Sequence, residues 1–120
     1  MQQLASPAGV SLKKILVATD FSASSVSALA CVVPIAQASD SVVHILHVIR
    51  PPEIAITSPE AEADISEQKQ LDAQRQLGPL VTVVGSVPHR MWLREGDIWA
   101  SIDSVVRSEQ IDLIAVGASG

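Results

Sequence analysis

Hydrophobic residues in this chain follow two rhythms, and their alternation predicts the fold. Ile15-Leu16-Val17-Ala18-Thr19-Asp20 is a short apolar run closed by polar residues, the pattern of a strand buried on both faces of a sheet. Ser22 stands where a helix N-cap belongs. Val26, Leu29, Ala30 and Val33 follow at helical spacing, and Pro34 is expected to bend that helix or to sit near its end. Ser39-Asp40-Ser41 breaks the pattern, and the β-branched run Val42–Ile49 reads as a second strand, stopped by Pro51-Pro52. A mobile connection is expected next. A helix then runs through residues 60–77: Ser58 caps it, Pro59 takes the first helical position, and Glu60 and Glu62 suit its first turn. Leu77, Leu80, Val81 and Val84 keep helical spacing across Gly78-Pro79. An internal proline costs roughly 3 kcal/mol, so a kinked or restarted helix is favoured here over an extended Val81-Thr82-Val83. Residues 87–94 alternate as a half-exposed edge strand. Gly96 turns the chain, Asp97 caps a helix with the apolar stripe Ile98, Ile102, Val105 and Val106, and residues 112–116 form the last strand.

The resulting order β-α-β-α-β-α-β predicts an α/β fold, with parallel strands joined by right-handed crossover helices in an open doubly wound sheet. At 120 residues the chain is one domain, with residues 1–12 as a flexible leader containing the turn material Ser6-Pro7-Ala8-Gly9 and residues 13–120 as the folded unit. Composition narrows the partners. A net charge of −5 with only 8 Lys and Arg argues against nucleic acid or an anionic membrane as the main partner, since both need clustered cations. No apolar run approaches the ~20 residues that span a bilayer, and Met1 to Ser11 has neither a basic nor an apolar signal region, so a cytoplasmic location is expected. Cys31 is the sole cysteine, which excludes an internal disulfide, and its apolar surroundings suggest a small buried hydrophobe.

The candidate chemistry lies at the carboxyl ends of the first and last strands. Asp20 closes the first, and Gly117-Ala118-Ser119-Gly120 follows the last. In open parallel sheets, ligands bind beyond the strand carboxyl ends where the strand order reverses. If the first and fourth strands are neighbours, Asp20 and the glycine turn face one crevice. A carboxylate there accepts from an amino group or a ribose hydroxyl, and glycines let backbone N–H groups approach phosphate. On position alone, Asp20 serves equally well as a helix N-cap or strand-end residue, and Gly117 and Gly120 as a bare turn. His44 and His47, three apart on a strand, fall on opposite faces and cannot share a metal; each is read as structural or surface. His89 is read as solvated. No Cys/His set for zinc is present, and no base stands beside Ser22, Ser24, Ser25 or Ser27. Trp92 and Trp99 flank Gly96 and suit either rim-of-core packing or a hydrophobic contact surface.

These segments together resemble the universal stress proteins. Ile15-Leu16-Val17-Ala18-Thr19-Asp20-Phe21-Ser22 is similar to that family's opening strand, and Leu46-His47-Val48-Ile49 to its second. Arg94-Glu95-Gly96-Asp97 and Asp112-Leu113-Ile114-Ala115-Val116-Gly117 resemble its third strand, third helix and fourth strand. The resemblance covers Lys13 to Gly120. It implies an adenine nucleotide alpha hydrolase-like sheet in the order 3-2-1-4, lacking the last helix and strand. It also implies ATP, accompanied by Mg2+, as the ligand. Asp20, with the adjoining Ala18 and Thr19, and the backbone of Val48 would meet the adenine, and Gly117 and Gly120 would approach ribose and phosphates. The family's nucleotide-binding branch continues with nine residues and a Gly-Ser or Gly-Thr pair. No such pair follows Gly120 in this sequence, so the resemblance implies a C-terminally incomplete domain, with ATP binding expected to be weak or absent and without the strand that commonly builds the family's homodimer.

The function expected from these features is an adenine-nucleotide-binding switch in the stress response and not an enzyme. No Walker lysine and no base for water are present, so at most slow ATP hydrolysis is expected of an intact domain. A dimerising interaction module without nucleotide is the alternative on the same fold. A phospho-acceptor receiver centred on Asp20 is a third reading, disfavoured because the acidic pair and the late lysine of such domains are lacking. A dehydrogenase is disfavoured because no Gly-x-Gly-x-x-Gly follows the first strand.

Overall fold

A computed structural model of the chain describes residues 12–51 and 58–117. Its elements are β1 (Lys14–Ala18), α1 (Ala23–Ser39), β2 (Val42–Ile49), α2 (Pro59–Leu77), α3 (Leu80–Val84), β3 (His89–Glu95), α4 (Ile98–Glu109) and β4 (Leu113–Val116). The four strands are parallel and lie in the order β3-β2-β1-β4, as expected. The chain lays down β1, β2 and β3 in one direction and then returns to the far side of β1. The strand order therefore reverses between β1 and β4.

The central position of β1 explains its unbroken apolar run. Ile15, Leu16 and Val17 are all fully buried, because successive side chains enter opposite faces and both faces are covered. Ile15 and Val17 pack with Val43 and Ile45 beneath Leu29, Val32 and Ala36 of α1 and Leu77, Leu80 and Val84 of α2 and α3. Leu16 packs on the other face with Leu46, Val48 and the α4 residues Ile102 and Val105.

Ser22 caps α1 as expected, its Oγ accepting from the Ser25 N–H at 3.2 Å. The inward stripe of α1 differs from the predicted one. Ser25, Leu29, Val32 and Ala36 are buried, Val26 and Val33 flank them, and Ala30 is exposed. Cys31 is exposed as well: it precedes Val32 on the outward side of the helix, so it is not the buried hydrophobe that its apolar neighbours suggested. Pro34 lies inside the helix, on its exposed side.

The Gly78-Pro79 break is a restarted helix. Gly78 stays in the right-handed helical region and Pro79 occupies the N-cap position of α3, where its missing N–H costs no hydrogen bond. Leu80 and Val84 face inward, four apart, whereas Val81, expected on the same stripe, is exposed. The edge strand β3 starts at His89, after a buried Val87. His89 is half-buried, its Nδ1 donating to the Val87 carbonyl at 2.9 Å, rather than freely solvated. The α4 stripe is as predicted, with Ile102 and Val105 buried and Ile98 and Val106 packed beside them. Asp112, just ahead of β4, accepts from the N–H groups of Lys13 and Lys14 at 2.9 and 3.0 Å and so ties β4 to the start of β1.

All of the expected leader but Leu12, most of the connection after Pro51, and Gly120 lie outside the described residues. Among the described residues, no helix is long and apolar enough to cross a membrane.

Candidate functional site

A cavity of about 760 Å³ opens above the carboxyl ends of β1, β2 and β4, within the size range of small-molecule sites. Ala18, Thr19, Asp20, Val48 and Gly117 all line it. Five of the six residues singled out in the sequence are thus brought to one place, and the sixth, Gly120, is outside the described residues. They meet because β1 and β4 are neighbours, with Ala18 in register with Val116.

The β1–α1 turn shapes one wall. Asp20 is exposed and its Oδ1 accepts from the Ser22 N–H at 2.9 Å, a two-residue turn that short acidic side chains favour. Hydrogen bonding from Ser22, first its side chain and then its backbone, holds the Asp20 carboxyl below the usual carboxylate range. It is a fixed anion at neutral pH, open to a donor from a ligand. Phe21 takes a positive φ of 66° and its ring lies 4.3 Å from that of His47. Thr19 turns inward, its hydroxyl 2.8 Å from the Ser25 hydroxyl, which anchors the turn to α1. Ser22 thus acts as a cap and Ser25 as an internal tie, while Ser27 is exposed.

Strand alternation explains what Val48 offers. The β1–β2 ladder ends where the Thr19 N–H donates to the Leu46 carbonyl at 2.8 Å. The Ile49 carbonyl, by contrast, faces the other way and accepts from the Gly96 N–H at 2.9 Å. Backbone groups alternate sides along a strand, so the N–H and C=O of Val48 share the side of Leu46, beyond the last residue of β1, and open to the cavity. A neighbouring donor–acceptor pair on one backbone residue matches the edge of a nucleobase.

Gly117 is required by the protein itself. A Cβ there would stand 2.5 Å from the backbone of Ser24 and Ser25 in the first turn of α1, closer than any non-bonded carbon contact. The glycine attributed to phosphate approach first of all lets the end of β4 pass under α1.

The other walls were not anticipated. His47 lines the cavity and its Nδ1–H donates to the Thr19 carbonyl at 2.8 Å, since a carbonyl only accepts. From α2 come Lys69, Asp72 and Gln76, at spacings that share one helix face. Lys69 Nζ donates to the carbonyl of Arg50, a second cation on the wall. The apolar wall is Ile98, Trp99 and Ile102 at the start of α4. The i, i+3, i+4 spacing was the available signal for both helices, but the polar stretch 60–77 has no apolar stripe to orient it.

His44 and His47 do face opposite sides, as their spacing requires. His44 is buried and its Nδ1 accepts from Trp92 Nε1–H at 2.9 Å. Burial pushes its pKa down, against the opposing pull of Glu109. Trp92 fits rim-of-core packing, with the Arg90 and Arg94 guanidiniums 4.6 and 5.1 Å from its ring. Trp99 does not, being largely exposed. Among the described residues, no group of three His, Cys, Asp or Glu side chains gathers to hold a metal.

The model of the Universal stress protein family matches residues 11–120. The chain belongs to the universal stress protein family. Universal stress protein UspA from Lactobacillus plantarum is similar at 26% identity, with a TM-score of 0.69 over 93% of this chain and 81% of that one. The hypothetical protein MJ0577 is similar at 26% identity, with a TM-score of 0.82 over 92% and 78%. A universal stress protein solved in complex with cAMP shares the fold at 19% identity, with a TM-score of 0.61 over 88% and 72%. No curated protein sequence matches the chain significantly.

Proposed function

We propose that the cavity is an adenine-nucleotide site and that this universal stress protein domain works as a nucleotide-binding switch. The observation that carries the reading is the meeting of Asp20, the free backbone edge of Val48 and Gly117 in one cavity at the strand-order reversal. Val48 N–H and C=O take the adenine edge. The Asp20 carboxylate accepts from the base or a ribose hydroxyl, Ala18 and Thr19 shape the floor, and Gly117, with Gly120 three positions on in the sequence, receives ribose and phosphates. The ligand in this reading is ATP, with Mg2+ carried on its phosphates. Fold relatives include one solved with cAMP, which supports an adenine ring as the shared element. In this reading the residues at the cavity bind and orient the nucleotide, and the domain acts as a binder rather than a catalyst.

Isothermal titration of the chain with ATP, ADP, AMP and adenosine tests this. Saturable binding, weakened about tenfold or more by Asp20→Ala through loss of a charge-assisted hydrogen bond, is the expected result. Absence of saturable binding for all four ligands up to millimolar concentration refutes it. An interaction module without nucleotide draws on a different observation: on β4, Leu113, Ile114 and Val116 are exposed and, among the described residues, only β1 pairs with the strand. Sedimentation showing a dimer, with no adenine absorbance in the purified protein, would favour that reading.

A further inference from the structure

Trp99 is the most exposed large hydrophobic side chain among the described residues, 71% accessible, and it lines the cavity. An indole left in water at a cavity rim is a large, flat, unused contact surface. Its mount is rigid. The Asp97 side chain caps α4, Oδ2 accepting from the Ala100 N–H at 2.8 Å, and the Asp97 carbonyl accepts from the Ser101 N–H at 3.0 Å. Gly96, with a φ of 132°, ties the same turn to the end of β2 through its N–H bond to the Ile49 carbonyl at 2.9 Å. Ile49 is the residue after Val48. The indole and the free backbone edge of Val48 therefore sit on two segments, the start of α4 and the end of β2, that this hydrogen bond joins beside the cavity.

Resting on the adenine-nucleotide reading above, we infer that Trp99 is a stacking platform that covers the face of the nucleobase while Val48 reads its edge. Base and indole stack through dispersion and complementary π-faces. The platform makes the site select ligands that carry a planar base over bare phosphates. A Trp has only two side-chain torsions to fix, so the ordering cost on closure is small.

The test uses the whole chain, three ligands (adenosine, ATP and inorganic tripolyphosphate) and the variants Trp99→Leu and Trp99→Phe. In the wild type, adenosine and ATP quench tryptophan emission and tripolyphosphate does not. In Trp99→Leu, calorimetric affinity for adenosine and ATP falls about ten- to a hundredfold, the range expected for losing one base–aromatic stack, while tripolyphosphate is unaffected. Trp99→Phe recovers most of the affinity but shows no quench, because Trp92 alone remains to report. Circular dichroism verifies that both variants fold. If the wild type binds adenosine and Trp99→Leu binds it equally well, the stacking role is wrong and the nucleotide site stands. An equal loss for tripolyphosphate also overturns stacking. If the wild type binds neither adenosine nor ATP, both inferences fall.

Discussion

Replacing Gly117 with alanine probes the close backbone approach between the end of β4 and the first turn of α1. The added Cβ would lie 2.5 Å from Ser24 C and Ser25 N and 2.6 Å from Ser24 O. Relaxed carbon contacts lie at about 3.5–4.0 Å, so the two segments must separate by about 1 Å. Neither can yield by turning a side chain, because every clashing atom is backbone. The first turn of α1 is pinned by the Ser22 cap and the Thr19–Ser25 hydroxyl pair, and among the described residues β4 pairs only with β1. Overpacking of this kind costs about 1–3 kcal/mol, which for a domain of this size lowers Tm by roughly 4 °C per kcal/mol. Urea unfolding followed by far-UV circular dichroism measures it, with Gly78→Ala as the control. Gly78 is helical and, apart from its two chain neighbours, a Cβ there would meet nothing nearer than 3.8 Å; the helical gain of alanine is opposed by Pro79, which disfavours this backbone region for a preceding residue with a Cβ, so that variant should stay within about 0.5 kcal/mol of the wild type. A Gly117→Ala midpoint equal to or above the wild type, at unchanged denaturant slope, would refute the reasoning.

Trp92→Phe keeps most of the ring but removes the Nε1–H donor from the buried His44 Nδ1; an expected loss of about 1–3 kcal/mol is checked by the urea midpoint. His44 also gives stability a pH dependence. Burial lowers its pKa from 6.5, with Glu109 raising it and Arg90 and Lys14 lowering it further. The fold therefore favours the neutral ring, and the stabilisation is complete above pH 6.5 and lost as pH falls through and below that value. Urea midpoints compared at pH 7.5 and pH 5 should fall in the wild type and fall less in His44→Gln; identical pH slopes would count against the assignment.

The order of elements and the sheet were legible because each strand and its helix carry a period that burial enforces. The uninterrupted run at residues 15–18 could only be a central strand, and Ser22, Ser58 and Asp97 marked helix starts through cap chemistry that needs no tertiary context. The shift of the α1 stripe was hidden. Its segment 28–36 is apolar almost all round, so spacing alone could not choose between Ala30 or Cys31 outward and Val32 inward. The candidate site was legible in part: topology brings the strand ends at Asp20 and Gly117 to one cavity, whereas Val48 entered through the family resemblance. The α2 wall was not legible, because Lys69, Asp72 and Gln76 are ordinary surface residues until β2 ends beneath them. Gly117 stood out for the room a glycine leaves a ligand, but its packing against α1 was hidden, because no local pattern reveals a contact formed across so much intervening chain.

The tether from Asp112 to Lys14 spans 98 positions. The central strand β1 must wait for every element from α1 to α4 to be made before β4 can close its second edge. At 5–20 residues per second, the interval during synthesis is about 5–20 s. For that time Ile15, Leu16 and Val17 lie on a strand with one open hydrogen-bonding side, the state from which chains pair wrongly. Nascent-chain length thus becomes a variable of this fold. Ribosome-bound chains released before Leu113 should aggregate or recruit chaperones, whereas those released after Val116 can seal the sheet from within.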